Sequence, residues 1–206
     1  RIIHLLCQGG NVAFQRWVRR QDSGLSIDLL AETLGFLATS EGDLLLSHNS
    51  KDSWLPEVFT LGVRAVQQMV LGPHEENQQF LLSPVFFDMA NKVFQKLRFS
   101  QSASDGRVGD EVFVQENDQL LCWMKIWLLR LLQTLSEGDK DGSLAETIVE
   151  AVEWTPIYAD FRSLHQLLMT TAHTDGTLSA SSEAQDLAFQ LFFMLERARR
   201  VDLGAD

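Results

Sequence analysis

Apolar residues return every third or fourth position along nearly the whole chain, and no stretch alternates strictly over the length of a strand. A spacing of three and four puts apolar side chains on one face of a helix, whereas a half-buried strand needs a period of two. The pattern predicts an all-α chain, with helices near residues 2–8, 11–20, 26–40, 54–71, 75–82, 84–97, 115–136, 143–153, 156–171 and 182–202. Gly72 and Pro73 stop the fourth of these sharply, because Gly accepts a left-handed turn and Pro cannot continue the ladder. Asn11 is placed to cap the second helix, and Ser143 with Glu146 three residues on has the form of a capping box. Residues 40–53 are polar and 100–110 are rich in Ser, Gly and Asp, so both read as loops.

No sequence repeat recurs at a fixed period. About ten helices of one to five turns joined by short loops predict an armadillo-like helical stack (an α-solenoid), with an isolated bundle as the alternative. The 206 residues are 45% hydrophobic, enough for one sizeable core or one elongated array. A formal net charge of -11 argues against nucleic acid as a partner. Cys7 and Cys122 are too few for a disulfide framework, which fits a reducing setting. The most apolar run, residues 120–132, is interrupted by Lys125 and Arg130 and falls short of the ~20 residues a membrane span needs. The chain opens at Arg1 with no Met, basic n-region or apolar h-region, and so reads as a segment of a longer protein.

Catalytic signatures are absent: there is no GxSxG, Walker loop, HExxH or CxxC, and no nucleophile–base pairing to suggest an enzyme. His4 and Cys7 lie three apart, but two ligands are not the four of a structural zinc site. Cys7 reads instead as a small buried hydrophobe. Gly9-Gly10 reads as a break between two helices rather than a phosphate cradle. Arg16, Arg19 and Arg20 beside Trp17 read as solvated or internally paired arginines. Two places imitate calcium loops. Asp139, Asp141, Ser143 and Glu150 have the right spacing, but Leu144 stands where Gly is required. "TAHTDGTLSASS", residues 171–182, is a degenerate EF-hand shape, with Thr171, His173 and Ser182 replacing carboxylates. Trp123, Ile126, Trp127, Leu131 and Leu135 lie on or near one helix face, mostly destined for the core.

Two stretches taken together resemble a known family. "LLCQGGNVAFQRWVRRQ", with Leu5, Leu6, Cys7 and Phe14, is similar to the LLCE-N-H-N…FQNFLR pattern that opens the RIH-associated domain of inositol trisphosphate and ryanodine receptors. "VQQMVLGPHEENQQFLL" resembles the family's SLTEY-x-QGPC-x-x-NQ-x-x-L: Gly72, Pro73, Asn77 and Gln78 match, while His74 stands where the family usually has Cys. "SIDLLAETLGFL" looks like the helix between the motifs. "LLRLLQTLSEGDKDGSLAETIVEAV" resembles the ryanodine-type LLSLLEGN…MVDML and places Glu137 on its Glu. The likeness covers residues 1–155; residues 156–206, with their degenerate EF-hand-like loop, fit more loosely.

The resemblance implies a non-catalytic cytosolic module close above the pore of an intracellular ligand-gated calcium-release channel, on an endoplasmic reticulum-type membrane. Such a module relays movement from distant cytosolic domains to the gate. Its partners would be the other domains of the same chain and the sister subunits of a homotetramer. The family's module also gives two glutamates to an activating calcium site, and these fall on Gln8 and Gln68. Gln keeps a carbonyl oxygen but loses the charge on which hard Ca²⁺ sites depend. The resemblance therefore implies no cofactor beyond a weakened, doubtful calcium. A helical scaffold without a pore, binding proteins along its surface, is the other reading.

Overall fold

The computed structural model describes residues 2–7, 9–21, 26–47, 54–72, 74–97, 116–136, 142–175 and 182–202. Among them are ten helices and no strand: α1 (Ile2–Cys7), α2 (Val12–Arg19), α3 (Leu29–Ser47), α4 (Leu55–Val70), α5 (Glu75–Leu81), α6 (Pro84–Lys96), α7 (Glu116–Leu135), α8 (Ser143–Ala151), α9 (Trp154–Asp175) and α10 (Ser182–Asp202). They stack in the spatial order α3, α4, α7, α10, α9. The short α1 and α2 lie against α4, and α6 bridges α3, α7 and α9.

The middle of the stack is α7, flanked by α4 on one side and α10 on the other. It buries Leu121, Met124, Ile126, Leu128, Leu129, Leu131, Leu132 and Leu135, spread around most of its circumference. A helix apolar on nearly all sides belongs inside. Of the face noted in the sequence, only Trp123 is exposed and Trp127 half-exposed. Lys125, which breaks the apolar run, is fully buried and pairs with the buried Asp160 of α9.

Several helix ends follow their sequence signals. Asn11 Oδ1 accepts from Phe14 N at 3.4 Å and caps α2. Gly9 and Gly10 take φ of +74° and +72° between α1 and α2, left-handed values that residues with a Cβ seldom adopt. α4 ends at Val70 and Gly72 follows with φ +84°.

Three expectations are corrected. Residues 40–47 are helical rather than loop, because the inward stripe Leu30, Leu34, Leu37 continues through Glu41 and Leu44. Glu41 occupies a core-side position, held by Lys92 Nζ at 3.2 Å and Lys96 Nζ at 3.8 Å from α6. Ser143 is the first helical residue of α8 and the cap is the left-handed Gly142, so the capping-box register is off by one. Residues 171–175 continue α9, so the first five places of the EF-hand-like stretch are helix. The expected loop at 100–110 lies outside the described residues.

Candidate functional site

A helix leaves its last carbonyls without intrahelical partners, and at a buried helix end something else must satisfy them. The end of α4 is such a place, and three side-chain amides meet it. Gln15 of α2 donates from Nε2 to Gln68 O at 2.9 Å and Leu71 O at 2.7 Å. Asn77 of α5 donates from Nδ2 to Met69 O at 2.8 Å and to Gln15 O at 3.2 Å. Gln78 Nε2 lies 3.0 Å from Gly72 O, 3.4 Å from Val70 O and 3.3 Å from Thr134 O of α7. Its two protons are shared among these three carbonyls. Five consecutive carbonyls, Gln68 to Gly72, are thus reached by amides from α2 and α5.

The backbone allows this because it turns sharply twice. Gly72 reverses the chain after α4. His74 then caps α5, its Nδ1 accepting from Asn77 N at 3.3 Å, and that cap fixes the following residues. Asn77 and Gln78 are buried against the helix they follow, with 0% and 1% exposure. On the other side the Gly9-Gly10 turn runs alongside, and a Cβ on Gly10 would sit 3.7 Å from Leu71 O. Gln67 Nε2 reaches Thr134 Oγ1 at 3.2 Å and ties the same joint to α7.

With the donors turned to backbone oxygens, the acceptor ends are left over. Gln15 Oε1, Gln67 Oε1, Gln68 Oε1 and Asn77 Oδ1 are buried and receive no hydrogen bond from the protein. The O and N ends of these amides are set by this network of partners. His74 Nδ1 is an acceptor here, which puts the proton of a neutral ring on Nε2, also buried and unpartnered. The joint is a dense group of amide dipoles, with no carboxylate among its described buried side chains.

The structure brings much of the two sequence motifs to this point. From the first comes Gln15; in the same motif Cys7 is fully buried in the core, and Phe14 is half-buried and edge-on to Trp17 at 6.0 Å between ring centroids. From the second come Gln68, Gly72, Asn77 and Gln78. Burial pushes the Cys7 thiol above the usual value of 9.0, so it stays protonated at neutral pH and serves as a packing group. Leu5 and Leu6 are exposed instead. Gln8, Pro73 and Glu137 lie outside the described residues. Of the arginines, Arg19 pairs with Asp28 at 2.6 Å and lies over the Phe80 ring at 4.2 Å, while Arg16 and Arg20 face solvent.

Gln15 stands on the Gln of the first motif's FQNFLR without the motif naming what it bonds, and Thr134 has no match in either motif. The available signal for Gln15 is its place three before Val18 on the buried face of α2, a polar residue where the stripe calls for an apolar one. No curated protein matches the chain. Residues 1–94, just under half of it, match the family model described as RyR and IP3R Homology associated. Both motifs and every amide that closes the end of α4 lie inside that match, and it is in residues 1–94 that the chain is similar to the RyR and IP3R Homology associated family.

Proposed function

We propose that this chain is a non-catalytic helical module of an intracellular ligand-gated calcium-release channel, passing movement from cytosolic domains toward the pore. The observation that carries the reading is the amide joint. Side chains of α2 and α5 are fastened to the end of α4, and Gln67 and Gln78 fasten it to α7. A displacement of α1–α2 must therefore move α4 and α7 with it or break several buried hydrogen bonds. Coupling of this sort needs rigid packed elements with two arrangements, and the joint supplies the rigid part. The partners would be neighbouring domains of the same chain and sister subunits of a tetramer, on the cytosolic side of an internal membrane. Among the described residues no helix is long and apolar enough to cross a membrane, so a pore would be formed elsewhere in the assembly.

Calcium would act only weakly at this module. Gln68 presents a buried oxygen without a donor, but two glutamines in place of two glutamates remove both formal charges. The test is to titrate Ca²⁺ against open probability in the full channel, comparing the native chain with Gln8→Glu/Gln68→Glu. The double variant is expected to open at lower calcium. A native channel that responds over the same range as the variant would refute the calcium part of the reading. An antibody to this segment tests the channel part. A large species that resists alkaline carbonate in the membrane pellet is expected, and a smaller species released by the wash would make the chain a poreless scaffold.

A further inference from the structure

Helix α10 has two apolar faces, and the core uses only one. Leu187, Leu191, Met194, Leu195 and Ala198 are buried toward α7 and α9. On the opposite side Phe189, Phe192 and Phe193 are 61%, 56% and 47% exposed. At i, i+3 and i+4 they form one stripe. Helix α9 continues it across the seam between the two helices. Tyr158 is 52% exposed, Phe161 stacks obliquely on Phe192 at 6.4 Å between centroids, and the exposed His165 follows at 6.4 Å from Phe161. Exposed apolar rings that join into one strip, rather than lying singly, mark a contact surface.

The charges around the strip say what fits it. Arg162, Arg199 and Arg200 are exposed beside it. Arg199 and Arg200 share the single carboxylate of Glu196, and Arg162 has no ion-pair partner among the described residues. Asp186, also on α10, is held by Arg130 of α7. Among the residues whose side chains are described, the strip is therefore bordered by three exposed guanidiniums, two of them sharing one carboxylate, on a chain whose formal net charge is -11. A second copy suits it poorly. Two such chains repel overall, and the four exposed aromatics offer about 400 Å², half of the ~800 Å² per partner of a standard interface. One helix laid in a groove docks through a few apolar anchors at i, i+3, i+4 and i+7, which a narrow aromatic strip can take.

We propose that the seam between α9 and α10 is a docking groove for a single amphipathic helix of a partner protein, apolar face on Phe189, Phe192 and Tyr158, acidic flanks toward Arg162 and Arg200. The groove lies outside the residues of the family match, so the proposal stands apart from the channel reading.

The test uses the full chain and two labelled peptides followed by fluorescence anisotropy. Both are designed helices with Leu at i, i+3, i+4 and i+7; one carries Glu on its flanks and the other Lys. The Glu peptide should bind, and the Lys peptide should bind at least about tenfold more weakly. Phe189→Ser/Phe192→Ser should weaken the Glu peptide by at least about tenfold. Arg162→Glu/Arg200→Glu, at two exposed positions that leave the core untouched, should reverse the preference. Four results would overturn the proposal. They are no binding of the Glu peptide into the millimolar range, equal binding of both peptides, or indifference to the arginine reversal. The fourth is a self-association in sedimentation that the Phe substitutions abolish, which would assign the face to a second copy.

Discussion

At Asn77 one primary amide serves two buried carbonyls, Met69 O and Gln15 O, on two different helices. A net hydrogen bond contributes about 1 kcal/mol, but a buried acceptor stripped of its donor costs about 1–3 kcal/mol. Asn77→Leu, similar in size and without a donor, is therefore expected to lower stability by about 2–4 kcal/mol, read as a drop in the urea midpoint at unchanged slope. Asn77→Asp should cost more, because it sets a charged acceptor against the same carbonyls. A loss under about 1 kcal/mol for Asn77→Leu would mean that water satisfies the end of α4 and the amides are incidental. Much of this joint is legible in the amino-acid sequence. Gly72, Asn77 and Gln78 stand in a recognisable motif, and Gly9-Gly10 announces a break by its chemistry. Gln15 cannot be read as a partner, because the carbonyls it serves are 53 and 56 residues away and backbone carbonyls carry no sequence signature.

Buried charge marks where helical periodicity misleads and where it holds. In α3 the polar pair Ser40-Glu41 has the look of a loop's start. The helix runs on to Ser47, because Glu41 stands on the core stripe and Lys92 and Lys96 reach it from α6. In α7 the apolar stripe is strong enough to carry Lys125 into the interior, where Asp160 meets it. These two sites differ in how the charge is held. The lysines on Glu41 are 37% and 54% exposed and can turn to water if it is removed. Glu41→Leu completes the stripe with Leu37 and Leu44, so thermal unfolding should show stability within about 1 kcal/mol of wild type or higher. Lys125 and Asp160 have no such exit, at 0% and 3% side-chain exposure. Lys125→Met or Asp160→Leu alone should cost about 3–5 kcal/mol, and the double substitution should recover most of that loss. A double variant no better than the worse single variant would show that the pair is held by partners outside itself.

For the molecule as a whole, the family match and the folding unit do not coincide. The match ends at residue 94. The helix that buries the inner face of α4 is α7, which begins at Glu116. Gln67 and Gln78, both within the matched part, bond to Thr134. Removing α7 would uncover much of the apolar face that α4 presents to it and orphan two buried amide contacts. Each uncovered large side chain forfeits about 1.5–3 kcal/mol, and a domain of this size has only about 5–15 kcal/mol in total. Residues 1–97 by themselves are therefore expected to lack a cooperative transition. Circular dichroism during a urea titration should show a shallow, non-sigmoidal loss of helix for that piece and a single steep transition for the 206-residue chain. Adding a peptide of residues 116–136 in excess should restore cooperativity to the short piece, since binding to the folded form alone draws the equilibrium toward it. If residues 1–97 unfold steeply unaided, then α7 merely adds to a self-sufficient unit. In that case motion of α1–α2 would stop at α4, and the joint could not carry it further into the stack.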